Sequence, residues 1–102
     1  MIYIEDNPSN IAFMQDLIAD LPSVELLTAP TAEIGLPLVR AHLPDAVILD
    51  INLPGISGFE AIQRLRDWPE TRGIPVIGLS AAAFVKDMSR AKDAGFYRYL
   101  TK

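Results

Sequence analysis

The sequence predicts an α/β domain built on an open parallel sheet. Three observations carry that reading. Short, wholly apolar runs such as Ala46-Val47-Ile48-Leu49 suit strands buried on both faces. Helix-period segments lie between those runs. Gly, Pro, Asp and Asn cluster wherever one pattern gives way to the other. Strands alternating with helices imply βαβ units with right-handed crossovers.

Met1-Ile2-Tyr3-Ile4 reads as the first strand and stops at Glu5-Asp6-Asn7-Pro8. Ile11, Met14, Leu17, Ile18 and Leu21 then recur at steps of three and four, and Pro22 ends that helix. Val24 to Thr28 forms a second strand. Thr31 caps a helix that runs to about His42, with Gly35 and Pro37 inside it. Pro37 lacks a donor and is expected to kink that helix or tighten its first turns. The third strand, Ala46 to Leu49, ends at Asp50.

Ser57-Gly58-Phe59-Glu60 has the S-x-x-E form of a capping box. It opens a helix with Phe59, Ile62 and Leu65 on one side, stopping before Pro69. Ile74 to Leu79 is the fourth strand, with Pro75 near its start where a missing donor is tolerable. A helix from about Val85 closes at Gly95, a favourable C-terminal glycine, and Phe96 to Leu100 completes the sheet. Trp68 is read as an anchor for its turn and His42 as a helix C-terminal cation; Phe13 and Phe84 are read as packing residues. Five strands with four helices leave one sheet face a helix short, so a last helix is expected to be absent from this chain.

Charge and composition exclude several classes. Nine Lys and Arg against thirteen Asp and Glu give a net charge of −4, without the basic footprint of a nucleic-acid binder. There is no cysteine, which removes disulfides and thiolate metal sites. Apolar runs are far shorter than the roughly 20 residues a membrane span needs, so no membrane contact is expected. The N-terminus lacks a secretory layout, and a cytoplasmic location is the reading.

Ligands of an open parallel sheet gather beyond the carboxyl ends of its strands. Here those ends carry Glu5-Asp6, Asp50, Ser80 and, near the fifth strand, Lys102. Clustered carboxylates stay ionised only with a cation among them, and an all-oxygen set suits Mg2+ accompanied by a phosphate. A hydroxyl from Ser80 and an ammonium from Lys102 can hold phosphoryl oxygens. Asp50 can serve as a carboxylate nucleophile forming an aspartyl phosphate. A serine triad fails because the lone histidine, His42, lies at the far end of the second helix.

The motifs Ile4-Glu5-Asp6-Asn7, Leu49-Asp50-Ile51-Asn52-Leu53-Pro54-Gly55 with Ser57-Gly58, Leu79-Ser80-Ala81 and Tyr99-Leu100-Thr101-Lys102 stand in order, each at a predicted strand end. With them the chain resembles the receiver domain of bacterial two-component response regulators. The likeness spans residues 1–102 as a single domain, C-terminally incomplete. It implies a flavodoxin-like, doubly wound five-stranded parallel sheet of order 2-1-3-4-5. It also implies a phosphoryl group passed to Asp50 from phosphohistidine on a histidine kinase or histidine phosphotransfer domain.

By the same likeness Asp6, Asp50 and the backbone carbonyl of Asn52 bind Mg2+, with Glu5 acting through water. Ser80 and Lys102 contact the phosphoryl oxygens, and Tyr99 with Ser80 forms a switch that reports phosphorylation. Asn52 and Ala82 are candidates for tuning hydrolysis of the adduct. Such a domain is a phosphorylatable switch, not a turnover enzyme. The wording of "DINLPG", "LSA" and "YLTK" is closest to receivers of hybrid sensor histidine kinases. A homodimer is left open, since the missing helix belongs to the surface most often used.

On the first helix Asn10, Ile11, Met14 and Gln15 are candidates for partner docking, with core packing the alternative for Ile11 and Met14. Two rival functions are weighed. A phosphorylation-independent interaction module with a receiver fold would not need all five site positions filled. An aspartate-nucleophile phosphatase of the haloacid dehalogenase type wants an acid where Asn52 stands.

Overall fold

A computed structural model of the chain describes the backbone of all residues except Asn52, Pro54, Ala81 to Phe84 and Lys102. Side chains are described for the same residues, apart from Val85 to Met88 and Thr101. The elements run β1 (Ile2–Ile4), α1 (Pro8–Ile18), β2 (Leu27–Ala29), α2 (Ala32–His42), β3 (Val47–Asp50), α3 (Gly58–Asp67), β4 (Val76–Ser80), α4 (Val85–Ala94) and β5 (Arg98–Thr101). The strands form one five-stranded sheet of order β2-β1-β3-β4-β5, every pairing parallel, as the sequence predicts.

Side chains alternate across the central strands. Ile2, Ile4, Val47, Leu49 and Val76 point to one face and join Leu36, Val39, Ile62, Leu65, Ala91 and Phe96 in the core. That face is therefore covered by α2, α3 and α4. Right-handed crossovers send α1 to the other face, where Tyr3 and Ile48 are buried and Ile77 and Leu79 are half-buried.

The capping residues perform as their chemistry dictates. Thr31 Oγ1 accepts from the Ile34 N–H at 3.2 Å, and Ser57 Oγ from the Glu60 N–H at 3.2 Å. Gly95, at φ +101°, ends α4 with the Gly95 N–H on the Lys92 carbonyl and the Phe96 N–H on the Ala91 carbonyl, a Schellman closure. Arg66 of α3 donates to the carbonyls of Arg72, Ile74 and Gly95, clipping the end of α4 to the turn before β4.

Several expectations need correction. The second strand covers Leu27–Ala29 instead of Val24 to Thr28. It can be no longer than its neighbour: Ile2 to Ile4 pair with Leu27 to Ala29, and the Val24 N–H is used in a turn to Leu21. The fifth strand starts at Arg98, not Phe96, because the Phe96 N–H still closes the preceding helix. As expected, α2 runs from Ala32 to His42 with Pro37 inside it, on the exposed side.

Phe13 is not a packing residue, being 68% exposed. It lies on α1, which buries none of its residues. Trp68 is half-buried against the core with the Arg40 guanidinium 4.7 Å from its ring centre, as an anchor should be. His42 sits in the last turn of α2. Phe84 falls outside the described residues.

Candidate functional site

Parallel pairing delivers the carboxyl ends of β1, β3 and β4 to one edge of the sheet. Glu5 follows β1 directly, and its N–H extends the ladder to the Ala29 carbonyl at 2.9 Å. Its side chain is fully buried, while Asp6 beside it is exposed. Asp50, the last residue of β3, is 3% exposed. One carboxylate oxygen from each of Glu5, Asp6 and Asp50 lies within 4.8 Å of the others.

Three carboxylates at that separation repel one another, two of them in poorly hydrated surroundings. The donor set is all hard oxygen, with no imidazole or thiolate. It fits a small hard divalent cation such as Mg2+, which takes few protein ligands and keeps water on its remaining positions. The arrangement is thus a fit for the cation that the sequence implies.

The helix after β1 is built to serve this cluster. Asn7 caps α1, its Oδ1 accepting from the N–H groups of Ser9 at 2.8 Å and Asn10 at 3.4 Å. That start places Asn10 over the strand end, where its Nδ2 donates to Glu5 Oε1 at 2.5 Å. An amide donor fixes the orientation of the carboxylate. Asn10 is therefore turned toward the acids, a role that the spacing of the sequence did not reveal. Of its companions in the candidate docking patch, Ile11 and Met14 are half-buried and Gln15 is exposed.

Ser80 ends β4 and is 5% exposed. Register places it one step beyond the Asp50↔Leu79 pair and beside Thr101. Asn52, Ala82 and Lys102, all singled out from the sequence, lie outside the described residues. The loop that carries Asn52 is anchored from within, since Ile51 and Leu53 on either side of it are both buried in the core. The Gly58 N–H donates back to the Ile51 carbonyl at 3.2 Å.

Tyr99 is half-buried in a trio of aromatic rings. Its centroid is 6.0 Å from Phe96 and 6.4 Å from Phe59, and Phe59 meets Phe96 edge-on at 5.8 Å. Gly78, paired with Tyr99 across the ladder, makes this possible. A Cβ there would come within 3.0 Å of both Phe96 and Tyr99. The Arg90 guanidinium covers the outer side of Phe59, 3.9 Å from its centroid.

Residues 1–102 match the family described as the response regulator receiver domain, and the chain belongs to that family. The polar-differentiation response regulator DivK of Brucella ovis is 35% identical over 102 residues, which is all of this chain and 82% of DivK. The chain is similar to the phosphorylated cyanobacterial phytochrome response regulator RcpA at 28% identity. That likeness has a TM-score of 0.88 and covers 99% of this chain and 79% of RcpA. It is also similar to the receiver domain of a Pseudomonas aeruginosa sensor histidine kinase whose active site cleft coordinates a magnesium ion. There the identity is 26% and the TM-score 0.87, over 99% of this chain and 82% of the other. This is therefore a receiver domain of the two-component type, a switch family, and no described helix is long and apolar enough to cross a membrane.

Proposed function

We propose that this domain accepts a phosphoryl group on Asp50 from a phosphohistidine of a histidine kinase or histidine phosphotransfer domain. The observation that carries the reading is the meeting of Glu5, Asp6 and Asp50 within 4.8 Å, with buried Asp50 at the strand end next to Ser80. A carboxylate oxygen of Asp50 forms a bond to phosphorus as the P–N bond breaks, and the imidazole keeps the electron pair and takes up a proton. Little covalent work is needed beyond positioning and charge stabilisation.

Asp6, Asp50 and the carbonyl of Asn52 are the residues to hold Mg2+, with Glu5, oriented by Asn10, acting through water. When bound, that cation neutralises charge on the transferring group. Ser80 donates its hydroxyl and Lys102 its ammonium to phosphoryl oxygens. Movement of Ser80 toward the new group is read by Tyr99, whose ring rests on the bare backbone of Gly78. Later hydrolysis of the acyl phosphate resets the domain, so it acts as a switch, with Asn52 and Ala82 tuning the lifetime.

The same reading extends to context. Phe13, Leu17 and Leu21 are exposed and apolar, and the reading gives them a further helix as cover, with a homodimer as one use of the surface that such a helix supplies. A hybrid sensor histidine kinase in the cytoplasm is the parent that suits this receiver.

The test is intact mass after incubation with phosphoramidate and Mg2+. One added phosphoryl group, dependent on Mg2+ and missing in Asp50→Asn, is the expected result. No adduct on a folded protein that includes the covering helix overturns the proposal in favour of a phosphorylation-independent interaction module.

A further inference from the structure

The three rings of the Phe59, Phe96 and Tyr99 cluster are not held alike. Phe96 is buried, and the backbone fixes it on both sides: its N–H donates to the Ala91 carbonyl at 3.1 Å, and the Tyr97 N–H to the Val76 carbonyl at 2.8 Å. Phe59 of α3 and Tyr99 of β5 are only half-buried. Gly78 puts no side chain beside Tyr99 on the neighbouring strand. The Tyr99 ring therefore rests on Phe96, which is fixed, and on Phe59, which has room to shift.

Phe59 is held in turn by Arg90 of α4. The guanidinium carbon stands 3.9 Å from the ring centre, against 4.7 Å for Arg40 on Trp68 and 4.9 Å for Arg98 on Tyr97. Arg90 is exposed, and among the described residues it makes no ion pair, although Asp67 and Asp93 line the same groove between α3 and α4. Its cation lies on the ring, where the quadrupole attracts it. The groove, of about 370 Å3, leaves the guanidinium space to come off again. Packed side chains pass a displacement along when each has a second arrangement open to it, and these three residues have that freedom.

We infer that Phe59 and Arg90 are positioning residues for Tyr99. Arg90 holds the ring of Phe59, Phe59 holds that of Tyr99, and a displacement at either end, the guanidinium on α4 or the phenol on β5, is felt at the other. The proposed switch thereby gains an outlet at the α3–α4 groove. The inference rests on that reading only for what moves Tyr99, and the experiment separates the two. Motion of the Tyr99 ring is measured by 13C relaxation with ring-labelled tyrosine, first without a phosphodonor. The Arg90 Nε signal is followed on the same samples, then again with phosphoramidate and Mg2+.

In Arg90→Ala, at an exposed position that leaves the core in place, motion of the Tyr99 ring rises about two- to fivefold, the size of an exposed cation–π contact. Phe59→Leu raises it at least as much, and Phe59→Tyr, which keeps the ring, stays near wild type. Arg90→Ala adds nothing further in the Phe59→Leu background. Unchanged Tyr99 motion in Arg90→Ala overturns the inference. So does an Arg90→Ala effect that persists in full without the Phe59 ring. Once the adduct forms, the wild-type Arg90 Nε signal moves, and in Phe59→Leu it does not; an adduct that leaves the wild-type signal in place also overturns the inference. A wild type that takes no phosphoryl group sinks the phosphoacceptor proposal alone, since the arm without phosphodonor decides the contact chain.

Discussion

The two faces of the sheet differ in how deeply their helices are bound. On one, α2 and α3 bury Leu36, Val39, Ile62 and Leu65 to 2% exposure or less. On the other, α1 has the expected apolar spacing yet only half-buries Ile11, Met14 and Ile18, leaving Phe13 68% and Leu17 61% exposed. The site draws on both, but unequally. Glu5 and Asp50 sit on strands pinned by the buried face, and the loop after Asp50 rests on that face through Ile51 and Leu53. The α1 face contributes a cap and one amide, Asn10.

Truncation should break the contrast most plainly. Leu65→Ala or Ile62→Ala is expected to lower stability by about 2–5 kcal/mol through lost burial and the cavity left behind. Phe13→Ala and Leu17→Ala are expected to stay within about 0.5 kcal/mol in this 102-residue chain. Urea midpoints decide it, and equal losses on the two faces would remove the distinction.

Gly58→Ala comes next. A Cβ at Gly58 would stand 2.7 Å from the Ile51 Cα and 3.2 Å from the Asp50 carbonyl oxygen, backbone atoms that cannot turn aside. The expected cost is about 1–3 kcal/mol from overpacking, despite the better helix propensity of alanine. Mg2+ affinity should fall with it, measurable by titration calorimetry.

The two caps sharpen the comparison further. Ser57→Ala removes an acceptor from well-buried α3 and should cost about 1 kcal/mol globally. Asn7→Ala removes the acceptor for two N–H groups of α1. Its effect should appear as faster hydrogen exchange at Ser9 and Asn10, with a smaller shift in thermal midpoint than Ser57→Ala gives.

The smallest effect concerns acid. Glu70 accepts from its own backbone N–H and from Arg40, and these bonds hold its carboxyl below the ordinary 4.5. A carboxyl depressed in the folded state stabilises the fold above its unfolded value, and that contribution is lost as pH falls through the folded one. Glu70→Gln should therefore lower the thermal midpoint slightly at pH 7 and not at all near pH 3. A change of the same size at both pH values would show that the charge is idle.

Much of this was legible in the sequence because local chemistry decided it. Buried strands need unbroken apolar runs, so the third and fourth strands and the acid at the end of the third could be found by inspection. Ser57, Thr31 and Gly95 announce helix ends through bonds within one turn. The second strand was misplaced by three residues at its start because its extent is set by pairing with β1, not by its own residues. The exposure of Phe13 was hidden because periodicity reports which side is apolar, not whether anything covers it. Asn10 was missed as a support of the acidic cluster because it meets Glu5 only once the cap sets the course of α1, and the bond of Glu33 to Ile56 was hidden because it spans 23 residues.

The acidic cluster joins the first strand to the third, positions that the unfolded chain keeps far apart. A cation taken up there would bind the assembled sheet and find no equivalent in the unfolded chain, which would make uptake and folding linked equilibria. At one hundred times its dissociation constant such a ligand adds about 2.7 kcal/mol to the folded state. The concentration of that cation would then set the stability of the fold as well as the readiness of the site.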